Sequence, residues 1–130
     1  DGACQDFVRL IEHGHTDEHD PELTAAVEEY LAPLRARGIC ALLLGCTHFD
    51  FAGNAIRNYI GRDVRIVSAA GCAARSMSDY HKVHALTGTG GTTEYYTSGS
   101  ADSFAANAGA LLGEDIAGHV HTASAEGLAE

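Results

Sequence analysis

Residues 39–44, Ile-Cys-Ala-Leu-Leu-Leu, run apolar without polar alternation and stop at Gly45. A strand with one wet face alternates, so this one is expected to be a parallel strand covered on both faces. No other segment constrains the fold as much, because parallel strands of this kind belong to sheets flanked by helices. Glycine permits the turn that must follow. Directly after it come Cys46, Thr47 and His48, a thiol, a hydroxyl and an imidazole, which is more chemistry than a turn requires.

The remainder of the chain alternates in the same sense. Residues 4–12 are short and mixed, with Phe7, Val8, Leu10 and Ile11 as core candidates, and a polar loop, HGHTDEHD, follows. Asp20 then stands as N-cap before Pro21 at a first helical position and Glu22 in the first turn. Leu23, Val27, Tyr30, Leu31 and Leu34 recur at helical spacing, and Pro33 should bend or end the last turn before Gly38. Beyond the Gly-Cys-Thr-His turn we expect a helix over 52–59 closed by Gly61 and a strand over 64–67. A helix over 69–86, weakened at Gly71, and a Gly/Thr loop over 87–93 come next. A strand over 94–97, a helix capped by Ser100 and running to Leu112, and a last short strand over 116–122 complete the pattern. The class is α/β with a parallel sheet.

The chain's totals narrow the function. With 130 residues, 45% hydrophobic and 20% charged, it is long enough for a real core and unlike a disordered chain. No apolar run is long enough to span a membrane and no signal pattern is visible, so a soluble, cytoplasmic protein is expected. The net charge of −10 and the scatter of its Lys and Arg argue against nucleic acid as a partner. A small anionic substrate stays open, since local backbone N–H groups rather than global charge build such a site.

Cys46 is the leading candidate for chemistry. Ligands of open parallel sheets bind beyond the carboxyl ends of strands, and the strand reading places this thiol there. Thiolates are the reactive form and are favoured near helix N-termini or an imidazole, so His48, two residues on, would assist or donate a proton itself. The commoner fate of a cysteine is to pack in the core, which is how we read Cys4, Cys40 and Cys72 among their apolar neighbours. No CxxC pair is present, and reduced thiols are expected. The His-rich loop (His13, His15, His19 with Asp17, Glu18 and Asp20), the pairs His81/His84 and His119/His121, and the helix-face pair Glu28-Glu29 match no ligand signature, so no metal is expected. Gly88 to Gly91 lacks the spacing and the lysine of a nucleotide loop.

Five ordered segments carry a resemblance. Cys4 to Glu12 (CQDFVRLIE) is similar to CPxFVPLVE. Tyr30 to Leu34 with Gly38-Ile39 is similar to yLxPLxxxgiD. Leu42 to His48 (LLLGCTH) carries a second-cysteine signature. Gly61 to Ser68 is similar to GxxVxLIdS, and Tyr95 to Gly99 (YYTSG) to fyTTGd. Together they resemble the C-terminal half of the glutamate racemase family, in the aspartate/glutamate racemase superfamily. Departures exist: Phe49-Asp50-Phe51-Ala52 replaces Tyr-Pro-Leu-Leu, Gln5 and Arg9 replace prolines, Cys40 replaces an aspartate, and Ala69 follows Ser68.

The resemblance implies a cofactor-independent cytoplasmic isomerase that interconverts L- and D-glutamate, the latter for peptidoglycan, cell wall biogenesis and cell shape. Two cysteines would face the α-carbon, one thiolate removing a proton and the opposite thiol returning one. Catalytic roles would fall to Cys46, to His48 as a group helping to set the protonation of Cys46, and to Glu12 as a supporting carboxylate near His48, with substrate contacts from Cys46, Thr47 and His48. Backbone N–H groups after the strand would hold a substrate carboxylate and stabilise the carbanion-like transition state. The family's first half carries the other cysteine, and nothing here matches it. Residues 1–68 would then belong to the second lobe and 69–130 would return to complete the first. We therefore expect a fragment or one piece of a two-chain assembly, needing a missing N-terminal half or a partner chain, with a homo-oligomer possible and little activity alone. The competing readings are a non-catalytic interaction module, with exposed apolar faces in 92–122 as its surface, and a superfamily member acting on aspartate or a hydantoin.

Overall fold

A computed structural model describes residues 4–84 and 90–124. The chain divides into two compact units, 1–87 and 88–130. This boundary by packing falls later than residue 68, where the resemblance would divide the lobes of a longer molecule.

The first unit opens with α1 (Gln5–Glu12), which buries Phe7, Leu10 and Ile11 on one face. Helix α2 (Pro21–Ala36) begins where the capping signals put it. The Asp20 carboxylate accepts from the backbone N–H groups of Glu22 and Leu23 at 2.8 and 3.0 Å. Leu23, Ala26, Val27 and Leu31 are buried, while Tyr30 and Leu34 are half-buried. Pro33 does not end the helix, which continues to Ala36. A proline there removes one late backbone hydrogen bond and crowds the carbonyl four residues back, yet the final turn still forms. Phe7 sits between two further rings, edge-on to Tyr30 at 5.2 Å and to Phe49 at 5.5 Å. Those contacts fasten α1 both to α2 and to the segment after β1.

Strand β1 (Ala41–Leu44) pairs in parallel with β2 (Arg65–Ser68), Leu44 lying opposite Ser68. Between them run a 3₁₀ helix, Thr47–Ala52, and α3 (Gly53–Ile60). The expected helix over 52–59 is thus found one residue later, because Ala52 closes the 3₁₀ turn. Gly61 closes α3 at φ 90°, a left-handed conformation that favours glycine. Ala52, Ala55, Ile56, Ile60 and Val64 join the α1 and α2 faces to make the core.

One expectation about β1 fails. Leu44 is 4% exposed, but Leu43 is 68% exposed, so only one face of this two-stranded sheet is covered. Helix α4 (Ala69–Val83) follows β2 and has no buried residue. The expected helix end at residue 86 lies outside the described residues, as do Thr87, Gly88 and Thr89 of the Gly/Thr loop.

In the second unit β3 (Tyr95–Thr97) and β4 (Val120–Thr122) pair in parallel, joined through α5 (Ala101–Leu112). Ser100 Oγ accepts from Ser103 N–H at 3.2 Å and caps α5, which ends on Gly113 at φ 70°. The final strand is shorter than expected because Ala117–His119 forms a 3₁₀ turn after the buried Ile116. The α/β class with parallel strands holds in both units.

Candidate functional site

Cys46 lies two residues past the carboxyl end of β1. Its backbone is extended and it precedes the 3₁₀ turn, where its carbonyl accepts from Phe49 N–H at 3.2 Å. The thiol caps nothing, which leaves it to turn elsewhere. Gly45 has no positive φ, and a Cβ there would meet open space. The turn does not itself require glycine.

The half-buried Cys46 Sγ lies 3.7 Å from His48 Nδ1. On the far side of the ring, His48 Nε2 donates to Glu12 Oε1 at 3.2 Å. A strand-end thiol and the last residue of α1 therefore meet through one imidazole. Helix α1 delivers Glu12 because its opposite face is anchored by Phe7 against Phe49, one residue beyond His48. Thr47 begins the 3₁₀ turn and is exposed.

The line has a definite chemical sense. A carboxylate only accepts, so it draws the ring hydrogen to Nε2 and leaves the Nδ1 lone pair facing the thiol. In that tautomer the imidazole has a lone pair able to accept a proton from sulfur. Doubly protonated, the same ring donates from Nδ1 toward a thiolate. Glu12 orients the ring in either state, as a carboxylate behind a working histidine does.

Reading the sequence did not single out Asp50 or Ser68. Ser68, the last residue of β2, accepts from Gly71 N–H at 2.7 Å and caps α4, while its hydroxyl donates to Asp50 Oδ2 at 2.8 Å. The available signal was a serine just before a helix-forming run. Its partner across 18 residues had none.

The other three cysteines do not gather here. Cys40 and Cys72 are exposed and Cys4 is half-buried, which corrects the expectation that they fill core. Burial pushes the Cys4 thiol above its ordinary value. Cys72 instead accepts from the Arg75 guanidinium at 3.2 Å. A surface groove of about 530 Å³, lined by Arg57, Arg62, Asp63, Val64, Arg65 and Ile66, lies at the amino end of β2, away from Cys46.

The histidine-rich segments serve locally. His13 Nδ1 donates to the Arg9 carbonyl at 2.7 Å, and His15 Nδ1 donates to Asp20 at 2.9 Å. The backbone N–H of Leu23, then His15, hold the Asp20 carboxyl below the usual range. In the second unit His121 and His119 both donate to Glu94, at 2.7 and 3.3 Å, and pull its carboxyl down in that order of strength. Glu28 and Glu29 are exposed, as a solvated helix face should be. Among the described residues, no group of three His, Cys, Asp or Glu could hold a metal ion. No helix among them is long and apolar enough to cross a membrane.

No protein-family model matches the chain. Individual relatives do. It is 36% identical over 122 residues to a glutamate racemase of Desulforudis audaxviator, covering 87% of this chain and 44% of that protein. Its fold is similar to the crystal structure of glutamate racemase isoform RacE1 from Bacillus anthracis, with a TM-score of 0.76 and 28% identity. That likeness covers 95% of this chain and 46% of the other. A glutamate racemase from Thermus thermophilus, solved with beta-chloro-D-alanine, gives 0.78 and 29% over 95% of this chain and 47% of that one. The chain spans about half the length of the relatives it matches.

Proposed function

This chain is homologous to glutamate racemases over about half of their length, and from that premise we propose that it supplies one proton-transfer face of an amino-acid racemase acting on glutamate. The observation that carries the reading is the line Cys46–His48–Glu12, which falls on the LLLGCTH segment and at the end of α1.

Cys46 is the acid–base group in this reading. As thiolate it takes the α-proton and becomes a thiol, while a thiol on the opposite face gives its proton to the carbanion-like centre and becomes the thiolate. The reverse reaction exchanges the roles, so no net proton is gained or lost. Inversion without a cofactor needs such a pair, because one group cannot serve both faces. His48 sits behind Cys46 to accept or return its proton, Glu12 fixes the ring, and Thr47 contacts substrate.

We place the opposing thiol in the half of the relatives that these 130 residues do not match, carried by further chain or by a partner chain. Residues 1–68 are assigned to one lobe of that larger molecule and 69–130 to a segment returning to the other. D-Glutamate for peptidoglycan, in the cytoplasm, is the role that follows.

Labelling with iodoacetamide at neutral pH, read peptide by peptide in a mass spectrometer, tests this. Cys46 should react faster than the other three cysteines, and glutamate should slow Cys46 alone. Equal rates with no protection by glutamate refute the reading. The isolated chain should form little D-glutamate; brisk turnover would put both proton-transfer groups inside it.

A further inference from the structure

We propose that Asp50 is a positioning residue for the Cys46–His48 pair, acting through its hydrogen bond to Ser68; the proposal rests on the acid–base reading of Cys46 given above. The 3₁₀ turn Thr47–Ala52 is six residues long, beyond the three or four at which such turns usually stop. Its first residue follows Cys46 and its second is His48, so the turn's conformation sets how far the ring stands from the sulfur. Something must hold it.

At its inner side the turn is held by Ala52, which is buried, and by Phe49 against Phe7. The exposed side has the Asp50 carboxylate, which accepts from Ser68 Oγ at 2.8 Å. Ser68 is itself immobilised twice, as the residue opposite Leu44 in the parallel ladder and as acceptor of Gly71 N–H. The space there is tight, since a Cβ added at Gly71 would come within 3.1 Å of Ser68 Oγ. Asp50 therefore ties the turn to a residue held both by the ladder and by the cap of α4. A bond to a charged acceptor is stronger than a neutral one, which suits it to the work.

The test uses the 130-residue chain and the pH profile of Cys46 alkylation. Asp50→Ala should slow labelling at neutral pH about three- to tenfold and move the profile toward that of His48→Ala, because a displaced ring no longer serves the sulfur. Asp50→Asn keeps an acceptor for the Ser68 hydroxyl and should stay within about twofold of the parent. Ser68→Ala should reproduce the loss and Ser68→Thr should not; these two decide the matter if circular dichroism shows Asp50→Ala unfolded. A parent-like profile for folded Asp50→Ala, or equal losses in Asp50→Asn and Asp50→Ala, overturns the proposal while leaving the acid–base reading intact. An unchanged profile in His48→Ala sinks that reading and this proposal with it.

Discussion

His48 Nε2 and Glu12 Oε1 stand 3.2 Å apart although 36 residues separate them in the chain. That contact decides which ring nitrogen carries the hydrogen, and so whether the nitrogen facing Cys46 can accept a proton. Replacing Glu12 by Gln offers an amide that can donate to Nε2 and select the other tautomer. Cys46 alkylation at neutral pH should fall about tenfold in Glu12→Gln, the low end of what losing a carboxylate behind a working histidine costs. Peptide mass mapping gives the rate, and an unchanged rate would show that Glu12 does not govern the ring.

Phe7 is 2% exposed and touches rings from both α2 and the 3₁₀ turn. Phe7→Ala should cost about 3–5 kcal/mol in urea unfolding. Because Phe49 neighbours His48, Cys46 labelling should also slow in conditions where this variant is folded. A cost below about 1 kcal/mol would place the core elsewhere.

Adjacent leucines of β1 should behave oppositely. Leu44, at 4% exposure, should cost about 2–5 kcal/mol when cut to Ala. Leu43, at 68%, should tolerate Thr within about 0.5 kcal/mol. Equal costs from paired denaturation curves would mean that the outer face of β1 is covered.

Acid should weaken both units through named carboxylates. Asp20 and Glu94 have folded-state values below their ordinary ones, Asp20 chiefly through Leu23 N–H and then His15, Glu94 through His121 and then His119. A depressed carboxyl stabilises the fold at pH values above its ordinary range and loses that contribution as pH falls through the lowered value. Melting temperature should therefore drop between the ordinary carboxylate range and the more acid folded values. Asp20→Asn and Glu94→Gln should flatten part of that drop, as thermal melts across the acid range would register.

The cysteines should separate by exposure and by charge state. Burial raises the Cys4 thiol, which lowers its thiolate fraction near neutrality. Cys40 and Cys72 are open to solvent. Cys4 should thus be the slowest of these three to alkylate, and raising the pH should speed it. If Cys4 labels as fast as Cys40 at neutral pH, burial is not limiting it.

Local signals alone determined much of this protein. Asp20 before Pro21, Ser100 before α5 and Gly61 after α3 marked helix ends, because a cap is settled by residues within one turn of it. The apolar run into Gly45 placed Cys46 at the carboxyl end of a strand, and the five ordered segments pointed to glutamate racemases by themselves. Only the tertiary structure decided the rest. Cys40 and Cys72 have apolar sequence neighbours yet lie exposed, and Leu43 is uncovered while Leu44 is buried, since burial depends on what packs from far along the chain. The same holds for the pairing of Asp50 with Ser68, whereas the neighbourhood of Glu12 and His48 was implied by the family resemblance and by no local signal. Hydrogen bonds between side chains on different elements leave no periodicity in the sequence, because their geometry exists only after the elements have packed.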